Sequence, residues 1–117
     1  MNNTIDYDGL HEFVTEVKRL TGIQLESGDD SLTIFLHTMA EMGEVAEALA
    51  KERGSLTKQH KELSESAKEE MVDVIQCCLS LYFSLGGDMK HLAEYGQKKN
   101  KKWDKAQINS KLKDKGV

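Results

Sequence analysis

Two pairs of acidic residues occur at helical spacing, Glu41-x-x-Glu44 and Glu70-x-x-Asp73. Residues three apart lie one above the other on a helix, so each pair would place two carboxylates on one side. Four converging carboxylates form a hard, oxygen-only environment that suits Mg²⁺ or Mn²⁺ rather than Zn²⁺. A single pair of this kind is more often a surface salt-bridge pattern, so the neighbours of each pair decide between the two interpretations.

The first pair shares its side of the predicted helix with residues that are untypical of a solvent face. Its companions at helical spacing are His37, Ile34, Val45 and Ala48. Steps of about 100° per residue put a broad apolar stripe on the opposite side, and this stripe is the predicted core face. The stripe consists of Leu32, Phe35, Met39, Met42, Ala46, Leu49 and Ala50. Gly43 costs roughly 1 kcal/mol against alanine inside a helix, which predicts close packing there.

The second pair lies at the start of a helix that is apolar nearly all round. The run from Met71 to Leu85 contains eleven apolar residues. A helix of this kind belongs in the centre of a bundle or in an oligomer interface. Glu70 and Asp73 therefore need a partner, because an unpaired ionised carboxylate among apolar neighbours costs several kcal/mol. Lys68 falls on another face of the helix, which favours a bound cation.

The apolar periodicity predicts four helices. The first spans 8–21 and stops at Gly22, and 23–29 is predicted to be a connection. The second starts at an N-cap among residues 29–31 and ends at Gly54. Residues 55–66 are either a loop or the first turns of the third helix.

The third helix starts at Ser66 or several residues earlier and continues to Gly86. Asp88 caps a fourth helix that runs to about Trp103. Short connections between long amphipathic helices predict an all-α, four-helix antiparallel bundle. We divide the chain into one helical domain, residues 1–105, and a lysine-rich C-terminal tail, residues 106–117.

Composition narrows the class of protein. The 117 residues are enough for one domain, and they include no proline and only two cysteines, which are adjacent. No signal peptide and no membrane-spanning run are predicted, so we expect a cytoplasmic protein without a membrane partner. Residues 1–97 carry 8 basic and 18 acidic groups, whereas residues 98–117 carry 8 lysines and 2 aspartates. The acidic excess of residues 1–97 argues against a stable nucleic-acid partner. The lysines of residues 98–117 either form a solvated tail or contact phosphate groups.

The motifs, in their order, resemble those of MazG-like nucleotide pyrophosphohydrolases, which belong to the all-α NTP pyrophosphatase superfamily. The resemblance spans residues 30–104 and rests on Leu36-His-Thr-Met-Ala-Glu-Met-Gly-Glu-Val-Ala-Glu-Ala-Leu49, Glu69-Glu-Met-Val-Asp-Val-Ile75 and Lys99-Asn100. The family pattern is E-x-x-E, some two dozen residues, E-x-x-D, and a later Lys-Asn pair. The Glu-x-Gly-Glu-Val form is similar to the compact branch that includes dCTP pyrophosphatases.

This chain departs from the family pattern at two places. Ala40 stands where many members have a first glutamate. Trp103 stands three places after the Lys-Asn pair, where a basic residue is common, so that Lys101, Lys102 or Lys105 would have to replace it.

The resemblance implies hydrolysis of a nucleoside triphosphate, with deoxynucleotides favoured, to a nucleoside monophosphate and pyrophosphate. It implies Mg²⁺, with Mn²⁺ as a substitute, held by Glu41, Glu44, Glu70 and Asp73. Glu41 or Glu44 would position or deprotonate the attacking water. The biological role it implies is house-cleaning of the nucleotide pool.

The same resemblance implies substrate contacts from Lys99, Asn100 and Lys102. Two further candidates come from the residues themselves: His37 lies one turn before Glu41 on the same side of the helix, and the Trp103 ring is suited to stacking on a base. His37 is alternatively an exposed residue or one that only orients a ligand, and Trp103 alternatively anchors the last helix. We also expect a homo-dimer or a tetramer formed as a dimer of dimers. The competing hypotheses are a non-catalytic helical module and a metal-binding regulator, such as an antitoxin-like partner protein.

Overall fold

The computed structural model describes residues 7–54 and 60–114, with side chains for 8–51 and 66–111. These residues form four α-helices and no strand: α1 (Tyr7–Glu26), α2 (Ser31–Gly54), α3 (His60–Ser84) and α4 (Met89–Asp114). The predicted all-α class with four helices is therefore confirmed. In the part of the chain that is described, no helix is both long enough and apolar enough to cross a membrane.

The helix starts follow the predicted capping residues. The Asp30 carboxylate accepts a hydrogen bond of 2.9 Å from the backbone N–H of Thr33, and so caps α2. In the same way, Asp88 accepts a hydrogen bond of 2.8 Å from the backbone N–H of His91 and caps α4. The α3 helix begins at His60, which agrees with the alternative of an earlier start, while residues 55–59 lie outside the described part.

The predicted end of α1 at Gly22 is wrong, because the helix continues through Gly22 to Glu26. The chain leaves the helix at Gly28, where φ is +107°, a conformation that glycine adopts without steric cost. The backbone N–H of Gly28 donates to the carbonyl of Leu25 at 3.1 Å and closes the end of the helix. The end of α4 near Trp103 is also wrong, since the helix extends to Asp114.

The backbone divides into two compact units, residues 1–86 with α1–α3 and residues 87–117 with α4. In the first unit, α3 is central, because both α1 and α2 pack against it. The hydroxyls of Ser31 and Ser84 are 2.9 Å apart, so the start of α2 meets the end of α3 and the two helices are antiparallel. The predicted division at residue 105 and the four-helix bundle stay predictions.

The core of the first unit does not contain the predicted stripe of α2. The buried apolar residues are Val17, Ile34, Val45, Ala67, Val74, Cys77 and Phe83. On α2, Ile34, Thr38 and Val45 are buried, while the whole predicted stripe is exposed. The prediction assumed that the most apolar side faces the neighbouring helix. Instead α3 packs against the side that carries Glu41, and Thr38 is accommodated because its hydroxyl donates to the Ile34 carbonyl at 2.7 Å.

Candidate metal centre

Three carboxylates from two helices converge between α2 and α3. Glu41, Glu44 and Glu70 each offer an oxygen that lies within 4.8 Å of the other two. The antiparallel packing produces this arrangement, because one turn of α2 presents two glutamates to one position on α3. The structure thus brings together three of the four carboxylates that the two motifs predict.

The charge of this cluster acts on Glu70, which is half-buried. Desolvation raises the pKa of Glu70, and a side-chain hydrogen bond with Glu44 and the charge of Glu44 raise it further. The charges of Asp73 and Glu41 contribute in the same direction. Glu70 therefore lies in an excess of negative charge that favours a proton or a cation.

Asp73 lies one turn after Glu70 on α3, and its side chain is exposed. Its charge helps to raise the pKa of Glu70 and also the pKa of Cys77, for which burial is the largest cause. Asp73 is thus close enough to act electrostatically on the cluster. Its role as a metal ligand stays a prediction.

Glu41 is the most enclosed acidic side chain of the first motif, with 17% of its side chain exposed. His37, one turn earlier on α2, places Nε2 3.6 Å from Glu41 Oε1. This separation is that of an ion pair when the imidazole is protonated, and it is too long for a good hydrogen bond. His37 is therefore in a position to orient Glu41 or a ligand of the cluster.

The donor set fits a hard divalent cation. All three groups are carboxylates, which suit Mg²⁺ or Mn²⁺. Two oxygens on opposite sides of Mg²⁺ lie ~4.2 Å apart, because each is bound at ~2.1 Å. Small side-chain rotations from the present separations would thus allow Glu41, Glu44 and Glu70 to bind one ion.

A cavity of about 210 Å³ lies between α1, α2 and α3, next to the cluster. His37 and Cys77 line it, and these two residues also lie beside Glu41. The cavity wall is mixed, since it contains the apolar residues Val17, Leu20 and Ile34 and the polar residues Thr21, Gln24, Gln76 and Ser80. A mixed wall of this kind suits a ring with polar edges.

The polar residues of this cavity belong to none of the sequence motifs. The hydroxyls of Thr21 and Ser80 are 2.7 Å apart and join α1 to α3, and Thr21 also donates to the Val17 carbonyl at 2.7 Å. The available signal was a polar residue inside an apolar pattern, because Ser80 interrupts the run from Met71 to Leu85.

A second, more polar cavity of about 380 Å³ adjoins the other end of the cluster. Glu44 and Glu70 line it together with Glu47, Lys51 and Ser66. Lys51 is the basic residue of this lining, and the other charged residues there are glutamates. An ammonium group is a common contact for phosphate. The carboxylates thus have a mixed cavity at one end and a polar cavity with a lysine at the other.

The remaining predicted site residues all lie on α4, in the second unit. Lys99, Asn100, Lys102 and Trp103 are exposed. The Lys99 ammonium lies 5.2 Å from the centre of the Tyr95 ring, at the distance of a cation–π contact. The role of these residues in substrate binding stays a prediction.

Comparison of the chain with protein-family models, with curated proteins and with solved structures found no match. The resemblance to MazG-like enzymes therefore rests on the spacing of the acidic motifs in this sequence and on an all-helical arrangement that is compatible with such a fold.

Proposed function

We propose that this protein is a Mg²⁺-dependent nucleoside triphosphate pyrophosphohydrolase with a MazG-like fold. The observation that carries the proposal is the convergence of Glu41, Glu44 and Glu70 from two helices within 4.8 Å. Without a bound ion, such an arrangement places like charges together at an electrostatic cost. A metal centre explains why the chain keeps these carboxylates at a helix interface.

The reaction is hydrolysis of the bond between the α and β phosphates, which yields a nucleoside monophosphate and pyrophosphate. Glu41, Glu44 and Glu70 hold Mg²⁺, and Asp73 completes the acidic set. When bound, Mg²⁺ neutralises charge on the phosphate oxygens. Glu41 or Glu44 orients the attacking water and accepts its proton. His37 keeps Glu41 in place through the contact at 3.6 Å.

The two cavities suggest how the substrate lies. The mixed cavity between α1, α2 and α3 takes the base and sugar, where Thr21, Gln24, Gln76 and Ser80 supply hydrogen-bonding groups. The polar cavity takes the distal phosphates, which Lys51 contacts. For Lys99, Asn100, Lys102 and Trp103 the proposal keeps the expected role in substrate binding. In keeping with the resemblance, we propose deoxynucleotides as substrates and house-cleaning of the nucleotide pool as the role.

The test is ³¹P NMR of the purified protein with Mg²⁺ and a panel of NTPs and dNTPs. We expect monophosphate and pyrophosphate as products. Glu44→Gln and Glu70→Gln should lower kcat by at least ~100-fold, the scale on which a misplaced catalytic group acts. Glu69→Gln is the matched control, because Glu69 is the exposed neighbour of Glu70 on the same helix and lies outside the cluster.

Two results would contradict the proposal. Nucleoside diphosphate with orthophosphate as products would retain the metal centre but exclude cleavage between the α and β phosphates. No turnover in a folded sample that binds Mn²⁺ would favour the alternative, a non-catalytic metal-binding or regulatory module. In that case Glu70→Gln and Asp73→Asn should alter assembly or stability instead of turnover.

A further inference from the structure

The cavity between α1, α2 and α3 contains two linked hydrogen bonds whose direction is fixed. Thr21, which is 3% exposed, donates its hydroxyl proton to the Val17 carbonyl at 2.7 Å. The hydroxyl oxygens of Thr21 and Ser80 are also 2.7 Å apart. A hydroxyl has one proton to donate, and Thr21 already uses its proton. The Ser80 hydroxyl is therefore the donor in its contact with Thr21.

Ser80 can in consequence only accept a hydrogen bond from a ligand. It lines the cavity, and its oxygen keeps a lone pair while its proton is bound to Thr21. If Ser80 turned its proton towards a ligand, two oxygen atoms would face each other without a hydrogen between them. This reversal is costly because Thr21 is buried and water cannot replace the lost bond.

Gln24, which lines the same cavity, is oriented by a bond outside it. Its Nε2 donates to the Asp29 carboxylate at 2.9 Å, and this fixes the two ends of the amide because a carboxylate only accepts. The carbonyl oxygen, an acceptor, is the opposite end of the amide. Gln76 and His37 also line the cavity, and each can donate or accept. The lining thus combines an acceptor of fixed direction at Ser80 with groups that adapt.

We propose that Ser80, oriented by Thr21, makes this cavity select nucleobases that carry an exocyclic amino group. The inference rests on the proposed function, which assigns the cavity to the base. An amino N–H donates to the Ser80 oxygen, whereas an oxo group at the same ring position brings two acceptors together. Ser80 is thus a specificity-determining residue, and Thr21 is the positioning residue behind it.

The test compares kcat/KM within two matched pairs of substrates, dCTP with dUTP and dATP with dITP. In each pair an oxo group replaces the amino group at one ring position. We expect the unmodified chain to prefer the amino member of both pairs by ~10-fold or more, because a site built to bind a polar group discriminates against its replacement. Thr21→Val keeps the shape of the side chain but frees the Ser80 proton, so this preference should fall to about twofold or less. Thr21→Ser restores the hydroxyl and should restore the preference.

Thr38→Val is the matched control for Thr21→Val. Thr38 is 6% exposed and donates to the Ile34 carbonyl at 2.7 Å, as Thr21 does to Val17, but it lies outside the lining of the cavity. The ratio of kcat/KM within each pair should stay that of the unmodified chain. Circular dichroism shows whether the helices persist. If Thr21→Val loses its helical signal, Ser80→Ala removes the acceptor itself and should abolish the preference.

Failure of this inference and failure of the proposed function give different results. Hydrolysis of all four substrates without a preference for the amino members would overturn the inference and leave the activity. If none is hydrolysed, isothermal titration calorimetry with dCMP and dUMP decides. Tighter binding of dCMP that is lost in Thr21→Val would support the inference without the activity, and equal or absent binding would overturn it. An unchanged preference in Thr21→Val would overturn it as well.

Discussion

Glu70 is the residue on which the acidic cluster acts most directly. Glu70 is half-buried, and desolvation raises its pKa; a hydrogen bond with Glu44 and the charges of Glu44, Asp73 and Glu41 raise this pKa further. Either a proton or a cation relieves this repulsion. The free protein should therefore be less stable than a variant in which one of these charges is absent, whereas the metal-bound protein should be more stable.

Glu70→Gln tests this balance between stability and metal binding. In EDTA we expect its Tm to rise by a few degrees, because glutamine keeps a hydrogen bond to Glu44 and removes one like charge. Mg²⁺ should raise the Tm of the unmodified chain, since it binds the folded state, and should raise that of Glu70→Gln much less. Glu69→Gln should respond to Mg²⁺ like the unmodified chain. A lower Tm for Glu70→Gln in EDTA would contradict the argument.

The α2 helix shows that the most apolar side of a helix is not always the side that packs against its neighbour. Its more apolar side was predicted to be the core, but the packed side is the one with Glu41 and Glu44. Helical periodicity identifies an apolar side and cannot identify the neighbour that will cover it. Here α3 packs where α2 offers the β-branched residues Ile34, Thr38 and Val45, and the larger apolar residues of the predicted stripe remain exposed.

The Asp30 cap makes the stability of α2 depend on pH in a predictable direction. Hydrogen bonds from the backbone N–H and the hydroxyl of Thr33 lower the pKa of Asp30. Since the folded state holds the proton less tightly than the unfolded state, the stabilisation by Asp30 is fully present above the unfolded pKa of ~3.9. It is lost as the pH falls through the lower pKa of the folded state.

Asp30→Asn measures this contribution, because asparagine keeps the cap geometry without the charge. At neutral pH its Tm should be a few degrees below that of the unmodified chain, and the difference should shrink as the pH falls below ~3.9. Asp104→Asn, at an exposed position within α4, is the control for removal of an acidic charge. Thermal melts followed by circular dichroism give the values. A Tm difference that stays constant with pH would contradict the assignment.

At the scale of the whole molecule, the first unit consists of α3 with α1 and α2 packed against it. These two helices leave some of the apolar residues of α3 exposed. On α3, the exposed large apolar residues include Met71, Val72 and Ile75, and on α2 they include those of the predicted stripe. The prediction for α3 was the centre of a bundle or an oligomer interface; in the described part of the chain both α1 and α2 pack against it.

The sequence by itself determined the helical class, the α2 cap to within residues 29–31, the α4 cap at Asp88, and the spacing of Glu41, Glu44 and Glu70. These features are local, because capping and helical periodicity depend on residues within about one turn of each other. The end of α1 is also set by local structure, but the sequence contains two nearby glycines, Gly22 and Gly28. The helix continues through Gly22, and the backbone adopts the left-handed conformation at Gly28.

The tertiary structure alone decided which side of α2 meets α3, and with it the convergence of the three carboxylates and the cavity around Thr21 and Ser80. These features depend on contacts between residues as far apart as 31 and 84, which no local pattern contains. The physical reason is that helix packing is settled by the fit of two surfaces. The side of α2 that carries Ile34, Thr38 and Val45 fits against α3, whereas the larger apolar residues of the predicted stripe remain exposed.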